Sequence, residues 1–473
     1  MTTGEAPHVP GVSRATPAGT VDASSASMTS KESAGADGRE DQHEGGAFEL
    51  LLAGDVMTGR GIDQILPRPS SPELFEDHLR DARDYVALAE VQSGKIPRSV
   101  PFTYPWGDAL EELERSDVCI VNLETSVTRS GAAWPDKGIN YRMHPGNVPC
   151  LTSARIDIAG LANNHMLDWG REGLIETIDT LHAAGIETAG AGRNLSEAAA
   201  VTVTDIDEQS RVVVVAVAGP GCGVPLAWAA TAEQPGVALL RRLDERAADA
   251  LAERILRVRR RVDVVVVSIH WGSNWGYDVD DEHVSFAHAL VERGVDVVFG
   301  HSSHHPRPIE LVRGKPVFYG AGDLLNDYEG ITGYESFRND LVLLYSLRCS
   351  QGPRATRERP GDGPEREREP SRIVVTMKPF RIRKMRLERA TSTDGRWLAE
   401  VLANESRRYG TDIVMGAAGV LEAHARRDGA RTMRRPAPRP VRGHPAPGRG
   451  VLPSGRPRAP SDTRADRTRP RST

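Results

Sequence analysis

Cysteine is scarce in this chain of 473 residues: Cys119, Cys150, Cys222 and Cys349 stand far apart with no C-x-x-C pair. That spacing argues against a disulfide framework or a zinc knuckle and for reduced thiols. Apolar residues make up only 39%, so part of the chain is expected to stay unfolded. No basic stretch followed by an apolar run occurs before residue 47, hence no signal peptide is expected. The long uncharged stretch 212–232 is interrupted by Gly219, Pro220, Gly221, Gly223 and Pro225. It reads as a buried strand entering a loop rather than a transmembrane segment, and the expected location is cytoplasmic.

Lysine and aromatic residues are both missing from the end of the chain, where twelve arginines between Arg431 and Thr473 face only Asp462 and Asp466. The whole chain carries a net charge of −5, so everything before that end is acidic. Arginines without interleaved aromatics lack the stacking component of a single-strand binder, and no specific nucleic-acid partner is expected. Residues 1–46 read as a disordered lead and 428–473 as a disordered Arg/Pro-rich tail. Between them lie a main domain over 47–348, a charged Pro/Gly-rich flexible insert over 349–372, and strands with a helix over 373–427 that complete the domain.

Within the main domain short apolar runs alternate with helical patterns, which predicts an α/β (α+β) sandwich. Strands are expected at Phe48 to Ala53, Val118 to Asn122, Ile156 to Leu161, Val212 to Ala218, Val262 to Ile269, Val295 to Phe299, Pro316 to Tyr319 and 341–347. Leu174, Ile175, Ile178 and Leu181 predict a helix from Arg171 to Ala184 closed by Gly185, and a second is expected from Glu282 to Arg293 before Gly294. A further short helix is expected around Arg396 to Tyr409.

The apolar runs end in side chains that bind metals. FELLLAG leads to Asp55, VCIVNL to Glu124, IDIAGLA to Asn163, Asn164 and His165, DVVVVSI to His270, VDVVFG to His301 and PVFYGAG to Asp323. Loops beyond the carboxyl ends of α/β strands are where ligands converge. Nitrogen and carboxylate donors collected there suit Zn, Mn or Fe. GHSSHHPRPIE (300–310) adds His304, His305 and Arg307, which offer metal ligands, a general acid and an anion contact; one register step decides whether His304 or His305 turns inward. Trp271 and Trp275 are candidates for a pocket wall or for core. Asp168 is expected to cap the helix that begins near Arg171. No role falls to His78, His182, His283 or His288.

GDVMTGRGID (54–63), NLETSVT (122–128), LANNHMLDWG (161–170), HWGSNW (270–275), GHSSHHPRPIE (300–310) and YGAGDLLNDYEG (319–330) resemble, in order, the CapA family of poly-γ-glutamate capsule biosynthesis proteins. That family looks like a branch of the calcineurin-like metallophosphoesterases. The resemblance implies a four-layer α/β/β/α sandwich with one or two divalent ions at the strand ends. Asp55 resembles the opening aspartate ligand, Glu124 stands where a bridging carboxylate is expected, and Asn164 with His165 resembles the Asn-His pair, amide as ligand and imidazole as acid or transition-state stabiliser. His270, His301 and His304 look like the later ligands. Catalytic work would then fall to His165 and Asp55, and substrate contacts to Arg307, Asn163, Trp271 and Asp323. The sequence departs from the pattern at Met57, where D-x-H would place a histidine, at NLE in place of G-D-x-x-D, and at His301 and His304, one residue further apart than in G-H-x-H.

Three functions are compatible with this reading. One is a metal-binding CapA-type protein that works with polymer-synthesis subunits. Another is a soluble metallophosphoesterase acting on a phosphoester through metal-activated water. The last is a non-catalytic module that binds an acidic polymer through Arg307.

Overall fold

Alternation of side chains along strands fixes the layers. The computed structural model describes residues 47–208, 210–260, 263–350 and 372–426. In the opening strand, Ala47–Val56, Leu50 and Leu52 face one way and Leu51 and Ala53 the other. Leu50 and Leu52 join Val118, Ile120, Val212, Val214, Val264, Val266, Val297 and Phe299 in a core between two sheets. Leu51, Ala53, Cys119 and Val121 pack instead with Val86, Leu174 and Ile178 from helices Arg83–Ser93 and Gly170–Ala183. On the far side Val213, Val215, Val265 and Val267 meet Leu251, Ile255, Phe286 and Leu290 from helices Glu245–Leu256 and Asp281–Glu292. Three cores thus separate four layers, α/β/β/α.

The first sheet has ten strands. Ala47–Val56, Val118–Leu123, Ile158–Gly160 and Glu187–Ala189 run parallel, and on the other flank Leu341–Ser350 and Arg372–Arg383 run antiparallel. The second sheet has six, with Arg211–Ala218, Val264–His270, Val297–His301 and Lys315–Phe318 parallel at its centre.

The predicted helices lie at Gly170–Ala183 and Asp281–Glu292, followed by Gly185 and Gly294 at φ 78° and 95°. The helix expected around Arg396 starts earlier, at Ser392–Ser406, because Thr391 and Asp394 form a capping box. The uncharged stretch at 212–232 is a strand that leaves into a loop, and no helix among the described residues is long and apolar enough to cross a membrane. Strands Leu341–Ser350 and Arg372–Arg383 extend into the ends of the expected insert. Its remainder, and the expected disordered ends at 1–46 and 428–473, lie outside the described residues.

Candidate metal centre

Parallel strands carry their carboxyl ends to the same edge, and here two sheets do so together. The first sheet brings Asp55, Glu124, Asn164 and His165; the second brings His270, His301 and His304. Register makes neighbours of Asp55 and Asn122, of Asp55 and Asp323, and of His270 and His301. The backbones approach closely enough at Asp55 to demand glycine: a Cβ on Gly54 would sit 1.8 Å from Gly322 O, and Asp55 N donates to that same oxygen at 3.0 Å.

Asn122 Nδ2 donates to Asp55 Oδ1 at 2.7 Å and Ser302 N to Asp55 Oδ2 at 3.1 Å. His301 Nδ1 lies 3.6 Å from Asp55 Oδ1 and 2.9 Å from His270 Nδ1. The outer nitrogens are held from behind: His301 Nε2 is 2.8 Å from Ser268 Oγ, and His270 Nε2 is 2.9 Å from Asn164 Oδ1. Such partners set the tautomer of a ligating imidazole. Two nitrogens bound about 2.1 Å from one ion stand roughly 3 Å apart, so the His270 and His301 spacing fits ligands of a common cation. Ligand atoms of Asp55, His270 and His301 all lie within 4.8 Å of one another.

Electrostatics favour the same assignment. Asp55, Glu124 and Asp323 are all buried. Burial pushes Asp55 up to about 7, with Asp323 adding to the shift, and drives Glu124 well above the usual carboxylate range, with Asp55 and Asp323 adding. Burial also lowers His301 to about 3 and His270 well below its ordinary value, which keeps both imidazoles neutral and able to ligate. Glu124 Oε2 has no hydrogen-bond partner among the described residues. Nearby guanidinium and ammonium groups serve other acids: Arg60 is held by Asp327 and Glu76, and Lys137 Nζ is 3.1 Å from Asp168 Oδ1. A buried excess of carboxylate, an orphaned oxygen and neutral imidazoles are a donor set that fits a divalent cation.

His165 borders this group, with Nε2 3.6 Å from Glu124 Oε1. Its Nδ1 is 2.7 Å from Asp168 Oδ2, which also accepts from Tyr141 N. Asp168 therefore orients His165 and does not cap the following helix, whose N-cap residue Trp169 makes no side-chain cap. His304 turns inward, Nδ1 3.0 Å from Asp323 Oδ1. Burial would lower its pKa, but the Asp323 carboxylate prevails and raises it. His305 faces away, with Nδ1 3.1 Å from Pro306 O and Nε2 accepting from Gly276 N, and its ring is stacked on Phe337.

Three expected substrate contacts are otherwise engaged. Asn163 is buried and ties the loop together, its Nδ2 donating to Leu123 O at 2.9 Å and its Oδ1 accepting from His165 N at 3.0 Å. Arg307 donates to Ser273 O and Oγ, both at 2.8 Å, which fixes the loop after His270 and leaves its terminal nitrogens inside the protein. Trp271 belongs to the outer core, stacked on His283 with Nε1 donating to Tyr319 O. Trp271→Ala should cost about 3–5 kcal/mol in urea unfolding, the usual range for removing a buried tryptophan, while metal content stays at the unaltered level. Asp323, expected as the fourth contact, stands beside Asp55 and His304.

Sequence reasoning missed Asn122, Ser268, Lys137 and Arg60. Asn122 lies inside the NLE stretch, and Ser268 precedes His270 by two residues on one strand face, so strand periodicity could have found both. Lys137 and Arg60 are brought in by loop and helix-entry conformations, and Arg60 has φ 46°.

The profile of the family described as "Bacterial capsule synthesis protein PGA_cap" matches residues 49–328. A Mycobacterium tuberculosis protein named "Probable polyglutamine synthesis accessory protein" is 46% identical over 79% of this chain and 95% of its own length. The "PGA biosynthesis protein CapA" of Bacillus subtilis is 24% identical over 63% of this chain and 67% of its own. The "Capsule biosynthesis protein CapA" of Bacillus anthracis is 25% identical, covering 63% and 64%. With more than half its length matched and a relative of this identity aligned almost end to end, the chain belongs to the bacterial capsule synthesis protein family PGA_cap.

Proposed function

We propose that the protein is a divalent-metal hydrolase of the metallophosphoesterase type. It would cleave a phosphoester while serving, beside synthesis subunits, in production of a glutamyl-type polymer. The observation that carries the hydrolase reading is the convergence of Asp55, His270 and His301 within 4.8 Å, beside the His165 and Asp168 pair. The polymer role rests on the names of the relatives. Oxygen and imidazole donors suit Mn, Fe or Zn. Such an ion, when bound, polarises a phosphoryl oxygen and lowers the pKa of water.

The chain's own residues supply the rest. Asp168 holds the Nδ1 proton of His165, so Nε2 is the nitrogen that exchanges a proton with the reacting group. Burial keeps His165 neutral, pushed down to about 4. Tyr141 packs edge-on against the imidazole at 4.4 Å and fixes its tilt. The alternative of a passive polyanion binder anchored on Arg307 is less favoured, because that side chain is buried and its Nη2 donates to Ser273 and to Trp275 O.

Metal-loaded protein should hydrolyse p-nitrophenyl phosphate, and a chelator should abolish the reaction. His165→Asn should lower turnover by about 100-fold or more, the usual loss on removing a general acid or base, with metal content unchanged. Loaded protein that is inert toward aryl phosphates, yet sediments with polyglutamate equally well with and without chelator, would overturn the hydrolase assignment.

A further inference from the structure

We propose that Tyr328 is a further catalytic residue, its hydroxyl donating a hydrogen bond to a phosphoryl oxygen of the substrate at the edge of the metal centre. This inference rests on the hydrolase reading above. A hydroxyl held inside a protein normally finds an acceptor for its proton. The Tyr328 oxygen accepts from the Tyr141 hydroxyl at 3.0 Å, so its own proton has to go elsewhere. His304 Nε2 lies 3.5 Å away but is already engaged by Asn274 Nδ2 at 3.0 Å. What remains for that proton among the described residues is Met57 Sδ at 3.6 Å, and a thioether is a weak acceptor. Two joined hydroxyls therefore keep one donor to spare beside the centre.

The segment that carries this donor is held rigidly. Asp327 is fully buried and accepts from Arg60 Nε at 3.2 Å and from Gly61 N at 2.9 Å. Asn326 Oδ1 accepts from Tyr328 N at 3.0 Å, while its Nδ2 donates to Asp323 Oδ2 at 2.7 Å. The Tyr328 ring stands edge-on to His304, with centroids 5.2 Å apart, just as its partner Tyr141 stands edge-on to His165. A donor fixed in this way costs no reorganisation when charge develops on the reacting group.

The site has need of such a donor. A phosphoryl group arriving here meets the buried carboxylates of Asp55, Glu124 and Asp323, so its oxygens depend on the cation and on uncommitted neutral donors. Nearby basic side chains are engaged: Arg60 with Asp327 and Glu76, Lys137 with Asp168, and Arg307 with Ser273. Tyr328 can also be reached. It is half-buried, and with Asn326, Glu329 and Arg383 it lines a cavity of about 330 Å³, within the range of ligand sites.

The test is Tyr328→Phe in the metal-loaded full chain, which removes the hydroxyl and keeps the ring. Turnover of p-nitrophenyl phosphate should fall by about 100-fold, the usual loss for one transition-state donor. Metal content by elemental analysis should stay at the unaltered level, and the melting temperature within about 4 °C. Affinity for inorganic phosphate, measured by calorimetry on the loaded protein, should weaken by roughly tenfold, as expected for a hydrogen bond to a charged group. A variant that keeps its metal, its turnover and its phosphate affinity overturns this inference and leaves the hydrolase reading standing. A variant that loses activity together with its metal overturns it too, since Tyr328 would then support the centre instead of touching the substrate. Loaded unaltered protein that hydrolyses no aryl phosphate overturns the hydrolase reading and the catalytic role of Tyr328 with it.

Discussion

Asp55→Asn should empty the centre, with metal affinity falling by more than about 100-fold, since changing even an outer-shell partner of a ligand costs 10–100-fold. Asp55 is shared by two groups of prospective ligand atoms, one with His270 and His301 and one with His304 and Asp323, so no arrangement of the remaining donors compensates for its charge. The amide keeps one oxygen to accept from Asn122 Nδ2 or Ser302 N, and packing at this fully buried position is preserved. At pH 8 and in the presence of chelator the variant should melt no lower than the unaltered protein, because it no longer buries that charge. Elemental analysis and melting curves on the same preparations separate the two effects. A variant that retains stoichiometric metal would remove Asp55 from the centre.

The strand ends were legible because they depend on local pattern. An apolar run closing in Asp55, Glu124, His270 or His301 marks a buried parallel strand meeting a polar edge, and the structure sets these residues at one edge. What the pattern could not carry was decided by contacts far away in sequence. His304 rather than His305 turns inward because Ser302 takes a positive φ and His305 is locked to Gly276 and Phe337. Arg307 and Trp271 have residue types that suit a binding site, yet Ser273 and Tyr319 claim them. Asp168 occupies a plausible cap position, but the backbone of Tyr141 and the ring of His165 compete for its carboxylate and win.

The length of an element also limits what can be read. Asp323–Leu325 has three residues, too few to show a period of two, so its pairing with the opening strand had no signature in the sequence. The helix Glu245–Leu256 is different: Asp244 caps it, and Ala248, Leu251, Ala252 and Ile255 form its buried face. That spacing is visible in the sequence, set among the exposed charges of Glu245, Arg246, Asp249 and Glu253.

Chelation should destabilise the protein far more at pH 8 than at pH 5. The folded, metal-free state holds the Asp55 proton up to about pH 7, against an ordinary value of 3.8, because burial and Asp323 disfavour the charged form. Between those values Asp55 binds more protons in the folded state than in the unfolded chain, so its own contribution to metal-free stability is largest in acid and is lost as pH rises through 7, while the buried imidazoles of His165, His270 and His301 act in the opposite sense in loaded and chelated protein alike. A bound cation reverses the sign, since its ligands must be deprotonated and metal binding strengthens with pH. The gap between loaded and chelated protein therefore widens with pH. At a free metal concentration of 100 times Kd, linkage alone contributes about 2.7 kcal/mol, or a melting shift on the order of 5 °C. At pH 5 protons compete for the same carboxylates, and the shift should shrink below about 2 °C. Melting curves with and without chelator at the two pH values decide the matter. A chelator effect equal at both would mean that the buried carboxylates are not what the cation neutralises, and no effect at either would mean that no cation stabilises this fold.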